Sequence, residues 1–157
     1  MTGFRRGVRI GVDVGKARVG VARSDPDGML ATPVETVPRG DDSIARVVAL
    51  AREHDAVEIV VGLPISLSGG DTPSTADARE LAQGLATASA LPVRLVDERL
   101  STVSAHSALR GSGRSQRQSR SIVDQVAAVV LLQQALDVEK NTGRPSGTPV
   151  PPDQEPA

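Results

Sequence analysis

The chain has 157 residues, a formal net charge of −1, no cysteine, tryptophan or tyrosine and a single phenylalanine, Phe4. That length suits one domain with a workable core, and the balanced charge makes any polyanion site a local patch rather than a basic coat. Without cysteine there are no disulfides, thiolate metal sites or cysteine nucleophiles, and with almost no aromatics base stacking is hardly available.

The opening MTGFRRGVRI lacks the apolar stretch of a signal peptide, and no apolar run is long enough to span a bilayer, so a cytoplasmic protein with no membrane partner is expected. Residues 7–14 and 17–24 are two β-branched strands joined by a tight turn at Gly15-Lys16, a hairpin signal. A third extended stretch, 30–37, follows the turn-rich Asp25-Pro26-Asp27-Gly28. Asp42 or Ser43 opens a helix over 43–54 with Ile44, Val47, Val48 and Leu50/Ala51 on its apolar face. Residues 57–63, VEIVVGL, read as a strand buried on both faces. After the Gly/Ser-rich 64–72 a helix runs from Pro73 or Ser74 to Ala88, and 93–97, VRLVD, is a fifth strand. A short helix is expected from Ser101 or Thr102 to Leu109, and 111–121 reads as a mobile loop because it holds no large apolar residue. The periodicity over 121–137 predicts a helix with Ile122, Val126, Val129/Val130 and Leu132/Leu136 inward. Residues 1–140 thus form one domain, and 141–157 read as a disordered tail. Three strands able to form an antiparallel meander, then helix-linked strands that pair in parallel, specify an α/β mixed five-stranded sheet with helices on both faces. This is the element order of the ribonuclease H-like fold.

Three acidic places fall in structured contexts: Asp13 near the end of the first strand, Asp97 and Glu98 at the end of the fifth, and Asp124 in the first turn of the last helix. Parallel strands one, four and five end on one sheet edge, and a helix packed across that edge brings its first turn to the same point. Carboxylates converging there repel unless a cation sits among them. An all-oxygen cluster suits Mg²⁺ or Mn²⁺, and such ions activate water for phosphodiester hydrolysis. Each acid also has a purely structural use. Asp13 can bond the amides of the turn at Gly15, Asp124 can meet the helix dipole, and Asp97 and Glu98 can pair with Arg99.

Arg99, Arg110, Arg114, Arg117 and Arg120 fall in a stretch without acids, either a solubilising loop or an arm for phosphates beside the acids. Lys16 and Arg18 are placed to neutralise a phosphate next to Asp13. His54 and His106 have no acidic or serine partner at a telling spacing and read as surface residues.

Four segments carry a resemblance: GVDVGKARVGVARSD (11–25), VVGLPISLSGG (60–70), VDERLSTVSA (96–105) and IVDQVAAVVLLQQAL (122–136). In this order they resemble the YqgF family of pre-16S ribosomal RNA nucleases, also described as RuvC-like Holliday junction resolvases. The resemblance implies a ribonuclease H-like, divalent-metal nuclease with catalytic and metal-binding acids Asp13, Glu98 and Asp124, and Asp97 beside them. It implies that Gly62, Pro64 and the loop after them line the substrate groove. Two positions depart from the family's habit: Ala17 separates Lys16 from Arg18, and Ser101-Thr102 stands for a threonine pair. Neither touches an acid.

The expected function is 5′-end processing of pre-16S rRNA, with Lys16, Arg18, Arg99, Arg114, Arg117 and Arg120 as substrate contacts. A resolvase of branched DNA uses the same acids and needs a homodimer for two cuts, whereas the rRNA nuclease works as a monomer or a homodimer. An actin-like kinase or ATPase needs two such domains, for which 157 residues are too few. A non-catalytic nucleic-acid-binding module predicts a missing acid, and none is missing.

Overall fold

A computed structural model describes residues 4–64, 72–97 and 116–151, with the backbone alone for 116–124. Its elements are β1 (Val8–Val14), β2 (Arg18–Ser24), β3 (Ala31–Pro38), α1 (Ser43–Glu53), β4 (Ala56–Leu63), α2 (Pro73–Ser89), β5 (Val93–Asp97), α3 (Gln116–Thr142) and β6 (Thr148–Val150). The sheet order is β3-β2-β1-β4-β5-β6. The strands β1, β4 and β5 run parallel, while β2, β3 and β6 add antiparallel. The α/β mixed sheet is as expected, with six strands rather than five.

Alternation along β1 divides the molecule. Ile10, Val12 and Val14 join Val19, Val21, Ile59 and Val61 in a core beneath α1 and α2. On the other face Ala22, Ala31 and Val60 meet Ala128, Leu131, Leu132, Ala135 and Leu136 of α3. There Gly11 lets the helix approach: a Cβ on it would stand 2.8 Å from the Leu132 Cβ and 3.0 Å from the Ala128 carbonyl oxygen. Close approach also rotates α3 relative to the expected face. Ala127, Ala128, Leu131 and Ala135 are buried, whereas Val126, Val129 and Val130 are only partly covered. Ala128 turns inward where α3 comes closest to the glycine of β1. Leu132 and Leu136 are buried as expected.

The sixth strand corrects the tail. Residues 148–150 lie within the stretch expected to be disordered, yet they pair with β5 from Val93 to Leu95. Backbone bonding recruits them: the Arg94 guanidinium donates to the carbonyls of Ser146 (2.7 Å) and Gly147 (2.8 Å). Gly147 has φ +78, and a Cβ there would meet the Leu95 oxygen at 2.1 Å. An edge strand tolerates Pro149, which has no ladder donor, so composition concealed it. The helix α3 likewise starts at Gln116, inside the stretch expected to be a mobile loop, and runs to Thr142. The helix expected over 101–109 lies outside the described residues.

At the amino-terminal edge of the parallel strands, four charges lock the chain ends to the sheet. Arg9 (1% exposed) binds Glu139 (4% exposed) at 2.9 Å, and Arg5 reaches Glu139 at 2.7 Å and Glu58 at 3.2 Å. The Phe4 ring covers the Arg9 guanidinium at 4.2 Å. Burial pushes the Glu139 carboxyl up, but hydrogen bonds from the Arg5 side chain and backbone and the charges of Arg9 and Arg5 outweigh it and leave it below the usual glutamate range.

Candidate active site

Asp13 occupies the α3 face of the central strand. Its antiparallel partner is Gly20, and Gly20 in turn pairs with Thr36 on β3. On the parallel side Val12 pairs with Val61, so the next residue of β4 level with Asp13 is Gly62, and Gly62 pairs with Val96. Asp13 therefore stands, half-buried, between a glycine on each neighbouring strand. Neither of these two adjoining residues carries a side chain.

The helix α3 crosses above this row. Ala128 and Leu132 lie over Gly11, and Asp124 is one helical turn before Ala128. The next residue, Gln125, donates from Nε2 to the Thr36 hydroxyl at 2.8 Å, which fastens this turn to the row holding Asp13. Two turns later Gln133 accepts from the Ala31 amide at 3.0 Å. Both glutamines escaped the sequence reading. Polar residues at i and i+8 on one side of an otherwise apolar helix were the available signal.

The turn after Asp13 is closed by the Gly15 amide donating to the Arg18 carbonyl at 2.9 Å. Gly15 is needed there, since a Cβ would lie 2.8 Å from that oxygen. Lys16 projects into solvent and Arg18 is half-buried. At the end of β4 the Pro64 carbonyl accepts the Thr75 hydroxyl of α2, whose start is a Thr72/Thr75 capping box with Pro73 in the first turn. Gly62 stands level with Asp13, and Pro64 follows two residues later.

Asp97 is exposed at the end of β5. It pairs with Leu63, and strand alternation sets it with Val93 and Leu95 on the α1/α2 face, opposite Asp13. This separates it from Asp13, a consequence of strand parity. Glu98, Arg99, Arg110 and Arg114, together with His106, lie outside the described residues. Arg117, Arg120 and Asp124 are carried on the first turns of α3. His54 ends α1 at the edge away from Asp13. Among the described residues no group of three or more His, Cys, Asp or Glu side chains could hold a metal ion, and no helix is long and apolar enough to cross a membrane.

Comparison with known proteins places this architecture. Residues 7–138 match the family model RuvX, described as Holliday junction resolvase. The chain belongs to the RuvX family. Membership bears out the family expected from the sequence and its nuclease, hydrolase chemistry. Among curated members, a protein of Clavibacter michiganensis subsp. michiganensis is 58% identical over 151 residues, covering 94% of each chain. One of Leifsonia xyli subsp. xyli is 55% identical, covering 95% of this chain and 97% of its own. One of Streptomyces coelicolor is 54% identical, covering 92% and 88%. All three carry the name "Putative pre-16S rRNA nuclease". In fold, the chain resembles T. thermophilus RuvC, solved in complex with a Holliday junction substrate: the TM-score is 0.56 at 16% identity over 88% of this chain and 99% of that one. That likeness bears out the RuvC-like, ribonuclease H-like fold.

Proposed function

We propose that this chain is a divalent-metal-dependent endonuclease of the cytoplasm that processes the 5′ end of pre-16S ribosomal RNA. The observation that carries the reading is Asp13, a carboxylate level with Gly20 and Gly62 on the sheet face that α3 covers. The name shared by its relatives supports the choice of RNA.

The proposed catalytic carboxylates are Asp13, Glu98 and Asp124, and these would hold Mg²⁺ or Mn²⁺. The donor set fits, because it is all oxygen and carries the negative charge that hard cations require. Such an ion supplies a lowered pKa for attacking water and neutralises charge developing on the phosphate. Asp97 is left out of the set because it stands on the other face of β5. Within the chain itself, Asp13 approaches the scissile phosphate from a row whose adjoining residues are Gly20 and Gly62. Lys16 and Arg18, in the turn that follows, meet neighbouring phosphates. Arg99, Arg114, Arg117 and Arg120 are further proposed phosphate contacts, the last two on the helix that bears Asp124.

Cleavage of a precursor RNA spanning the 5′ end of the small-subunit rRNA tests the reading. Wild type cleaves with Mg²⁺ and Asp13→Asn does not, while both melt cooperatively. Unchanged cleavage by the folded Asp13→Asn protein overturns the assignment. The family's description favours a second reading, resolution of four-way DNA junctions by a homodimer. A synthetic junction in the same assay ranks the two.

A further inference from the structure

Arg39 follows β3 and clasps the turn next to Asp13. Its amide donates to the Ala17 carbonyl at 2.9 Å, and its Nη1 donates to the Gly15 carbonyl at 3.0 Å. The same guanidinium meets both carboxylate oxygens of Asp77 on α2, at 2.7 and 2.9 Å. The side chains of this pair are 25% and 35% exposed. A planar fork on a carboxylate fixes direction as well as charge, which a lysine cannot reproduce.

Both ends of the strap belong to the surroundings of the site. The clasped turn starts two residues after Asp13 and carries Lys16 and Arg18. Asp77 lies near the start of α2, where Thr75 binds the Pro64 carbonyl at the mouth of β4. Arg39 therefore joins a helix anchored beside Gly62 to the turn anchored beside Asp13. We infer that the Arg39–Asp77 pair is a positioning device, which holds the Gly15–Arg18 turn at the height where Lys16 and Arg18 meet the phosphates flanking the cleaved bond. The inference rests on the nuclease reading. Arg39 acts through the turn and does not itself touch the substrate.

The competing role is Arg39 as a direct phosphate ligand, and the two differ in sign. Removing the Asp77 charge would release a direct ligand and tighten RNA binding, whereas it loosens a strap and weakens binding. Asp77→Asn, Arg39→Lys and Asp77→Glu are compared in wild type for cleavage and in Asp13→Asn for binding of the same precursor RNA across a salt series. Asp77→Asn and Arg39→Lys are expected to raise KM about tenfold with kcat changed less, and to lower the slope of log affinity against log salt by about one. Asp77→Glu, which keeps a two-oxygen acceptor, restores part of the affinity. Adding Lys16→Ala to Asp77→Asn brings less further loss than it does in wild type, because the two act through one contact. Equal or tighter RNA binding by Asp77→Asn with an unchanged slope overturns the inference, as does full additivity with Lys16→Ala. Failure of the nuclease reading shows separately, as a wild type that does not cleave.

Discussion

Gln125 Nε2 donates to the Thr36 hydroxyl at 2.8 Å, and this bond joins the first described side chain of α3 to the outermost strand of the meander. Thr36, Gly20 and Asp13 form one row across β3, β2 and β1, so the bond sets where the turn of Asp124 stands relative to Asp13. A neutral hydrogen bond of this kind contributes about 1 kcal/mol to stability. Its positional effect is larger, since a misplacement of about 1 Å in a catalytic constellation can cost on the order of a hundredfold in rate. Gln125→Ala and Thr36→Val should therefore each lower cleavage at least tenfold with only a small change in denaturation midpoint. Chemical denaturation and single-turnover cleavage on the same preparations check this, and a proportionate loss of both would mean that the bond serves stability alone.

Gly11 predicts a second outcome. A methyl group there would sit 2.8 Å from the Leu132 Cβ and 3.0 Å from the Ala128 carbonyl, both on a buried helix. Overpacking of this kind costs about 1–3 kcal/mol. Gly11→Ala should melt earlier and lose activity together, because the helix it displaces carries Asp124. Wild-type stability for Gly11→Ala would show that α3 can lift without penalty.

The buried charges at the far edge give a pH dependence. The Glu139 carboxyl lies below its usual range: burial opposes this, and the bonds and charges of Arg5 and Arg9 outweigh it. A depressed acid contributes stability that is complete above its unfolded value, about 4.3, and is lost as pH falls through the lower folded value. Below about pH 4 this network should therefore weaken. Glu139→Gln removes the nearer carboxylate of Arg9, 1% exposed, and leaves it Glu58 at 4.0 Å. Loss of one partner from a buried pair costs about 3–5 kcal/mol. Thermal melts of wild type and Glu139→Gln from pH 7 to 3 should converge as the acid is protonated, and parallel curves would assign the loss to packing.

Strand and helix positions were largely legible in the chain because β-branched alternation and 3.6-residue periodicity are local signals. Five strands fell where alternation and turn residues indicated, and the loop-rich Asp25 turn formed through its own carboxylate, which accepts from the amides of Asp27, Met29 and Leu30. The strand β6 was hidden because its stabilisation comes from Arg94 and the backbone of β5, more than fifty residues away. The inward face of α3 was legible in part: Val129, Leu132 and Leu136 pack on the sheet as expected, and Ala128, Leu131 and Ala135 join them. Periodicity finds an apolar stripe, but the depth available above Gly11 selects which residues of it face the sheet.

The sequence alone determined the α/β class, the order of the described elements as far as α3, and the RuvX family, since these reside in residue types at fixed spacings. The tertiary structure decided what surrounds Asp13. In the chain its glycine neighbours are Gly11 and Gly15, but Gly11 serves the packing of α3 and Gly15 the closure of the turn. The residues that flank the carboxylate are Gly20 and Gly62, brought beside it by antiparallel pairing on one side and parallel pairing on the other. Strand register also put Asp97 on the opposite face. Register depends on how strands meet, and a one-residue difference exchanges the two faces of a sheet, so only the assembled sheet could decide which residues stand level with Asp13.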